Sequence, residues 1–184
     1  MKKESTFLYI LRLTFTLLLI CALVAAALAA VNSITAPIIA ASKEAKTQAA
    51  ISAVLPGGGE KIDFAGADPS GIVLEVYASD KGYAVKVAPG GFGGAITMMV
   101  GIDNEGKVLG ISIISHAETP GLGAVAAQNT DKGVAFREQF AGLIAGITIG
   151  DGENQVDALS GATISSQAIV DGVNAALDCV KNLG

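Results

Sequence analysis

The chain has 184 residues, of which 51% are hydrophobic and 16% are charged, and its net charge is −5. This length suits one domain of ordinary size, and the hydrophobic fraction excludes an intrinsically disordered chain. The acidic balance excludes nucleic acid as an expected partner, because binding to a phosphate backbone relies on Lys and Arg. One His and two Cys, without a CxxC or HExxH pattern, exclude the common zinc, iron–sulfur and c-type haem sites.

The composition changes sharply along the chain. No charged residue and no His occurs between Arg12 and Lys43, and every Gly lies at or after Gly57. The N-terminal third therefore suits a long helix, because glycine weakens helices. The glycine-rich, acidic remainder suits a folded domain with many turns.

An uncharged segment near the N-terminus predicts a transmembrane helix over residues 13–35. The stretch from Leu13 to Val31 has no charge, and a spanning helix needs about 20 apolar residues. A cleaved signal peptide is the alternative, because basic residues precede the apolar run and small residues follow it. The length of the run favours a retained anchor, which makes membrane lipid a partner.

The flanking charges predict the orientation of this helix. Lys2, Lys3 and Arg12 precede the span closely, and the positive-inside rule places such a flank in the cytoplasm. We therefore predict a single-pass protein of the cell membrane, with residues 1–12 in the cytoplasm. Residues 36–184 then form an extracytoplasmic domain.

The external domain begins with a predicted helix and continues with predicted strands. Ser33 or Thr35 can cap a helix that has Pro37 near its start and stops at Pro56. A compact apolar run and then apolar residues at alternate positions predict four strands, and a turn at residues 103–106 joins the last two as a hairpin. The strand residues are Ile72–Tyr77, then Tyr83, Val85 and Val87, then Ile96, Met98 and Val100, and finally Leu109, Ile111 and Ile113.

Three further elements are predicted in the C-terminal half. Asp131 to Ala145 has helical spacing, and Ile147 to Ile149 suits a short strand. From Ile169 to Val180, apolar residues recur at helical spacing and predict an amphipathic helix packed on a core. Strands flanked by helices without regular alternation indicate an α+β domain with a mainly antiparallel sheet.

The segment before the last helix has the properties of an anion site. Gly161 and Ala162 leave the backbone open to close approach, and the amides of a helix N-terminus favour an anion. Thr163 adds a hydroxyl at this positive end. The alternative is that Ser160 or Thr163 only caps the helix. No catalytic nucleophile of the hydrolase kind is expected, because it needs an adjacent base and the chain has one His, His116.

Three blocks of sequence resemble the covalent FMN-binding domain family of respiratory complexes. Residues 160–163, Ser-Gly-Ala-Thr, resemble the flavinylation motif of that family. Residues 88–103 resemble its central strands, and residues 116–123 resemble its loop signature. With the N-terminal span, the likeness covers nearly the whole chain. It indicates the family of the G subunit of the Rnf electron-transport complex, whereas the related C subunit of the sodium-translocating NADH:quinone reductase is usually longer.

The resemblance implies one covalent FMN as the cofactor. Its phosphate is esterified to the Thr163 hydroxyl by a separate flavin transferase, and Ser160, Gly161 and Ala162 surround the attachment point. Glu118, Thr119 and Leu122 are candidate contacts of the flavin in the loop block. For Glu118 and His116 the alternative is that they hold the loop by side-chain hydrogen bonds, and for Leu122 it is a plain core contact.

The resemblance also implies a redox subunit without an independent catalytic site. Such a subunit relays electrons among other membrane subunits of a complex that links ferredoxin and NAD to transport of sodium ions or protons. Three alternatives stay open on the sequence. They are the C subunit of the NADH:quinone reductase, a free-standing exported FMN-binding electron-transfer protein, and a non-redox module in which the motif only caps a helix.

Overall fold

The computed structural model describes residues 6–64 and 66–183. Lys2 and Lys3, on which the predicted orientation depends, lie outside the described residues. The chain divides into two units, Met1–Ala45 and Lys46–Gly184. The first contains most of a single long helix, and the second contains the sheet and the remaining elements.

Helix α1 runs without interruption from Thr6 to Val54. Large apolar side chains are exposed along its first unit, and within the described ranges it is the one helix long and apolar enough to cross a membrane. The hydroxyls of Thr14 and Thr16 donate to backbone carbonyls one turn earlier, at 3.0 and 2.8 Å. These polar groups are therefore satisfied inside the helix, as an apolar surrounding requires. The predicted N-terminal apolar helix is confirmed.

The prediction of a separate helix capped by Ser33 or Thr35 is wrong. Both hydroxyls donate to carbonyls one turn earlier, at 2.8 and 2.9 Å, so they bond inside a helix that continues. Pro37 lies within α1 rather than near a helix start. A serine or threonine before a proline is compatible with a cap and with a helix interior, because its hydroxyl can bond in either direction.

A five-stranded antiparallel sheet, in the order β1-β2-β3-β4-β5, forms the second unit. Sequence neighbours are therefore spatial neighbours throughout, and the predicted antiparallel sheet is confirmed. The strands are β1 Glu60–Ile62, β2 Val73–Ser79, β3 Gly82–Val87, β4 Thr97–Asp103 and β5 Val108–Ser115. The predicted hairpin joins β4 and β5, with Ile102 opposite Val108.

Two strand details differ from the sequence pattern. Strand β1 was not predicted, because its three residues are too few for an alternation to show. Leu109 is exposed and Val108 is buried, although Leu109 was expected to share the buried face of Ile111. The cause is a shift in the pairing of β4 with β5 between Gly101 and Ile102, which leaves Leu109 unpaired and places Val108 opposite Ile102.

Both faces of the sheet are covered. Helix α3, Thr163–Leu183, packs on one face, and the end of α1 packs on the other. Strand β4 serves both cores, since Met98 belongs to the cluster of α3 and Met99 to the cluster of α1. Gly101 allows the close approach of α1, because a Cβ at that position would overlap the carbonyl oxygen of Val54.

A polar network also joins the end of α1 to the sheet. Glu75 of β2 forms ion pairs with Lys61 at 2.7 Å and with Lys86 at 2.9 Å. The Lys86 ammonium also donates to the hydroxyl of buried Thr47, at 3.3 Å. Partial burial raises the pKa of Glu75, but hydrogen bonds and charges from the two lysines outweigh it and lower the pKa to about 2.

The remaining elements are short. Helix α2 spans Asp131–Glu138, a 3₁₀ turn spans Gly123–Ala127, and strands β6 Thr148–Ile149 and β7 Gln155–Val156 pair in parallel. The prediction of a helix up to Ala145 is wrong at its end. Helix α2 ends at Glu138, and Gly142 and Gly146, with φ of +83° and +88°, keep the helix from continuing to Ala145. Phe140 is nevertheless buried, in the turn that follows the helix.

Candidate functional site

A pocket of about 360 Å³ opens beside the first turn of α3. Its volume lies in the range of small-molecule sites, about 300–1,000 Å³. Residues from the glycine-rich loop before β4, from the loop after β5 and from the start of α3 form its wall. They are Phe92, Glu118, Thr119, Leu122, Gly123, Gly161, Ala162, Thr163, Ile164 and Ser165.

Most residues singled out in the sequence meet at this pocket. The six that line it are Glu118, Thr119, Leu122, Gly161, Ala162 and Thr163. Ser160 is exposed and precedes the lining residues without being one of them. His116 is also exposed and lies outside the lining, and its Nδ1 accepts a hydrogen bond from the amide of Glu118 at 3.2 Å. That contact matches the alternative role considered for His116, which is to hold the loop by a side-chain hydrogen bond.

Four lining residues were not predicted to belong to a site: Phe92, Gly123, Ile164 and Ser165. A signal for Phe92 was present, since an aromatic residue stands between two pairs of glycines at residues 90–94. Such a loop is a poor place to bury an aromatic ring, and Phe92 is 69% exposed. The sequence carries no such signal for Ile164 and Ser165 of α3, because their place in the pocket depends on where the two loops lie.

The backbone turns into α3 at Gly161, whose φ of +73° favours glycine. The amide of Ala162 donates to the carbonyl of Leu159, and the amide of Ser166 donates to the carbonyl of Ala162, both at 2.9 Å. The hydroxyl of Ser166 donates to Ala162 O and accepts from the amide of Leu159, both at 3.0 Å. Ser166 therefore ties the loop to the helix, at the helix start where the sequence had suggested Ser160 or Thr163 as a cap.

The hydroxyls at the start of α3 differ in accessibility. Those of Ser165 and Ser166 belong to buried residues, and each is engaged by a hydrogen bond. Thr163 is exposed at the pocket wall, where it begins the helix. The first N–H groups of a helix have no intrahelical acceptor, so its N-terminus is a positive end. Thr163 thus presents a hydroxyl beside a site that favours an anion.

Glu118 is the buried ionisable residue of the pocket wall, with 6% of its surface exposed. Its Oε1 accepts a hydrogen bond from the amide of Gly93 at 2.9 Å, and its Oε2 accepts one from the hydroxyl of Ser165. The carboxylate thereby joins the loop before β4, the loop after β5 and the first turn of α3. The predicted loop-holding role of Glu118 matches these contacts, and the residue also faces the pocket.

Large apolar side chains stand exposed around the pocket. Phe92, Leu122 and Ile164 are 69%, 43% and 58% exposed. Exposed apolar groups that cluster at a pocket are typical of a binding site. Together with the positive helix end, this apolar rim suits a ligand that has a flat apolar part and an anionic part. In the described ranges, no group of three or more His, Cys, Asp or Glu side chains is placed to hold a metal ion.

Comparison with known proteins places these features in a family. The model of the FMN-binding domain matches residues 91–178, which include the whole pocket wall. The chain is 33% identical over 176 residues to the G subunit of the proton-translocating ferredoxin:NAD(+) oxidoreductase complex of Clostridium ljungdahlii, covering 93% of this chain and 91% of that protein.

Two further likenesses differ in extent. The G subunit of the Na(+)-translocating ferredoxin:NAD(+) oxidoreductase complex of Acetobacterium woodii is 33% identical, with 95% of this chain and 93% of that protein covered. The crystal structure of the C subunit of the Na(+)-translocating NADH-quinone reductase of Parabacteroides distasonis has a TM-score of 0.46 at 23% identity, covering 60% of this chain and 61% of that chain. The two full-length likenesses show that this chain belongs to the family of the G subunits of Rnf-type, ion-translocating ferredoxin:NAD(+) oxidoreductase complexes and carries an FMN-binding domain.

Proposed function

We propose that this chain is a membrane-anchored electron-transfer subunit of an ion-translocating ferredoxin:NAD(+) oxidoreductase complex, and that it holds one FMN covalently at Thr163. The observation that carries the proposal is the exposed hydroxyl of Thr163 at the positive end of α3, on the wall of a pocket with an apolar rim. The family membership supports the redox role and the other subunits as partners.

The pocket suits FMN at both ends of the molecule. A phosphodiester on Thr163 would lie at the N-terminus of α3, where backbone amides and the helix dipole stabilise an anion. Gly161 and Ala162 keep this end open, because neither has a side chain that extends over the backbone. The flat isoalloxazine ring would find apolar surface on Phe92, Leu122 and Ile164. When bound, FMN supplies reversible electron acceptance, and the chain supplies position and electrostatics.

The accessibility of the hydroxyls supports Thr163 as the attachment point. Ser165 and Ser166 are the neighbouring alternatives, and both are buried with their hydroxyls engaged. Glu118 is the one ionisable side chain among the lining residues, and its two oxygens are held by Gly93 and Ser165. Activation of the Thr163 hydroxyl therefore falls to a separate flavin transferase.

The transfer step balances with a flavin dinucleotide as the donor. The oxygen of Thr163 attacks the phosphorus of the FMN half, and a bond from Oγ1 to phosphorus forms. The phosphoanhydride bond breaks, and the nucleoside monophosphate leaves with the proton that the hydroxyl gives up. The product carries the mass of FMN minus water.

A substitution at Thr163 tests the attachment. Thr163→Val keeps the β-branched shape and removes the oxygen, at a cost of at most about 1 kcal/mol if a cap is lost. Thr148→Val is the matched control, since Thr148 is exposed in β6 away from the pocket. Made together with a flavin transferase, the wild type and the control should fluoresce in denaturing gels and gain FMN minus water. Thr163→Val should do neither.

Two outcomes contradict the attachment at Thr163. One is a Thr163→Val variant that stays covalently yellow. The other is a wild type that never acquires the adduct beside a transferase active on another protein. An adduct in Thr148→Val but not in Thr163→Val assigns the loss to the missing oxygen of Thr163 rather than to the replacement of a threonine by valine.

The proposed orientation in the membrane is based on the basic residues near the N-terminus of the chain. Residues 1–12 would lie in the cytoplasm and residues 36–184 outside it. In spheroplasts, a thiol reagent that cannot cross membranes should label Lys132→Cys, at an exposed position of α2, and should not label Ser5→Cys. The reverse pattern contradicts the orientation, and a mature N-terminus near Val31 would show cleavage of a signal peptide. Co-purification with membrane subunits distinguishes the complex from a free-standing exported protein.

A further inference from the structure

We infer that Glu118 is a positioning residue whose buried carboxylate braces the three segments of the pocket and thereby sets the place of the Thr163 hydroxyl. The brace itself is a property of the fold. Its effect on FMN attachment rests on the function proposed above, so the two are tested by separate measurements.

The hydrogen bonds of Glu118 join parts of the chain that are far apart in sequence. Oε1 accepts from the amide of Gly93, which is 25 residues away, and Oε2 accepts from the hydroxyl of Ser165, which is 47 residues away. Gly93 follows Phe92 directly, and Ser165 lies in the same helical turn as Thr163. The carboxylate therefore couples the aromatic part of the rim to the turn that carries the attachment hydroxyl.

The glycines of the wall leave room for this carboxylate. A Cβ on Gly91 would overlap Oε1 of Glu118, and a Cβ on Gly123 would lie 2.6 Å from Oε2. Gly91 and Gly123 are not among the glycines with positive φ, so the backbone conformation does not require glycine at either position. The requirement is space, which Glu118 fills together with Ile96 at Gly91 and together with its partner Ser165 at Gly123.

The two hydrogen bonds of Glu118 require oxygen acceptors at the end of its side chain, and they do not require a cationic partner. Both donors are neutral, and none of the lining residues is Lys or Arg. A glutamine has the same shape and can keep both contacts, because its carbonyl accepts from Gly93 and its amide donates to the Ser165 oxygen. An alanine can keep neither and leaves the Gly93 amide without its acceptor. Glu118→Gln and Glu118→Ala therefore separate the shape of the brace from its charge.

The brace is tested first without flavin, on the full chain made in the absence of a transferase and purified in detergent. Hydrogen exchange is measured in residues 91–94 and 163–166. Glu118→Ala should accelerate exchange in both segments by about tenfold, the effect of one lost buried hydrogen bond. Ser165→Ala should accelerate only residues 163–166, and Glu118→Gln should stay within about threefold of the wild type. Glu105→Ala, at an exposed turn, is the control.

The effect on the site is tested by the rate at which a flavin transferase loads each variant. Glu118→Ala should slow FMN attachment by about tenfold, and Glu118→Gln should restore it. The inference is overturned if Glu118→Ala matches the wild type in exchange and in loading, or if Glu118→Gln is as impaired as Glu118→Ala. If Glu118→Ala does not fold, hydrogen exchange of residues 163–166 in Ser165→Ala still tests the contact between Glu118 and α3. A wild type that is never loaded would overturn the proposed function, while the exchange data would still decide on the brace.

Discussion

Two glutamates join distant segments on opposite sides of the sheet, and they do so by different means. On the side of α1, Glu75 is held by the ammonium groups of Lys61 and Lys86. At the pocket, Glu118 is held by an amide and a hydroxyl. Ion pairing fixes the charge of Glu75 strongly and makes that side sensitive to acid. None of the residues that line the pocket is Lys or Arg, so Glu118 has no cationic partner in that wall.

The largest effect on stability is expected where α1 meets the sheet. Gly101→Ala places a methyl group against the carbonyl oxygen of Val54, which is backbone and cannot move away alone. Overpacking of this kind costs about 1–3 kcal/mol. Gly110, which pairs directly with Gly101, has nothing within 4 Å of a Cβ, so Gly110→Ala is the matched control. Urea unfolding of both variants measures the difference, and equal midpoints would contradict the close approach of α1.

The ion-paired glutamate should give the second largest effect. Glu75→Gln should destabilise the domain by about 1–2 kcal/mol at pH 7, between the values for exposed and buried ion pairs. Because the folded pKa of about 2 lies below the unfolded value, this stabilisation is present above about pH 4.5 and is lost as the pH falls toward 2. Glu105→Gln, at the exposed pair with Lys107, is the control.

Unfolding free energies at several pH values test this point. The wild type should lose stability between pH 4.5 and pH 2 more steeply than Glu75→Gln. Parallel pH profiles would show that the two lysines do not hold Glu75 in the way that the structure indicates.

A smaller effect is expected at the pocket if flavin is bound there. A carboxylate close to the ring disfavours the reduced, anionic forms of a flavin, so Glu118→Gln should raise the midpoint potential. An effect of about 1.4 kcal/mol corresponds to roughly 30 mV for a two-electron couple. Redox titration of covalently loaded protein measures the shift. An unchanged potential in a fully loaded variant would leave Glu118 with its bracing role alone.

The smallest signal expected is the reaction of Cys179 with thiol reagents. This thiol is buried in α3, and burial, with a contribution from Asp68, raises its pKa to about 11. It should therefore stay unlabelled at pH 7–8 in the folded protein and react in urea. Gly101→Ala should speed its labelling by favouring unfolding, whereas Glu118→Gln should not. Labelling of the native wild type at the rate of a free thiol would contradict the burial.

Local patterns in the sequence were sufficient for several parts of the structure. The gap in charge before Lys43 identified the apolar helix, alternation identified four strands, and helical spacing around Ile169 identified the buried face of α3. These patterns repeat within a few residues, because each records which face of one element is buried. The Ser-Gly-Ala-Thr motif likewise marked a helix start with an accessible hydroxyl.

Other features followed only from tertiary structure. Helix α1 continues through Pro37, and Ser166 rather than Ser160 or Thr163 ties the loop to α3. Whether a hydroxyl caps a helix or bonds within it depends on the path of the chain before it, which local pattern does not encode.

The pocket shows most clearly which features local sequence indicates and which depend on tertiary structure. The residue types before α3 predicted an anion site at Thr163, and the family resemblance added Glu118 as a candidate contact of the flavin. Only the fold brought Gly93, Glu118 and Ser165 together across 25 and 47 residues, and left Phe92 exposed beside them. Contacts over such separations depend on how the sheet and α3 pack, because no periodicity links the positions involved.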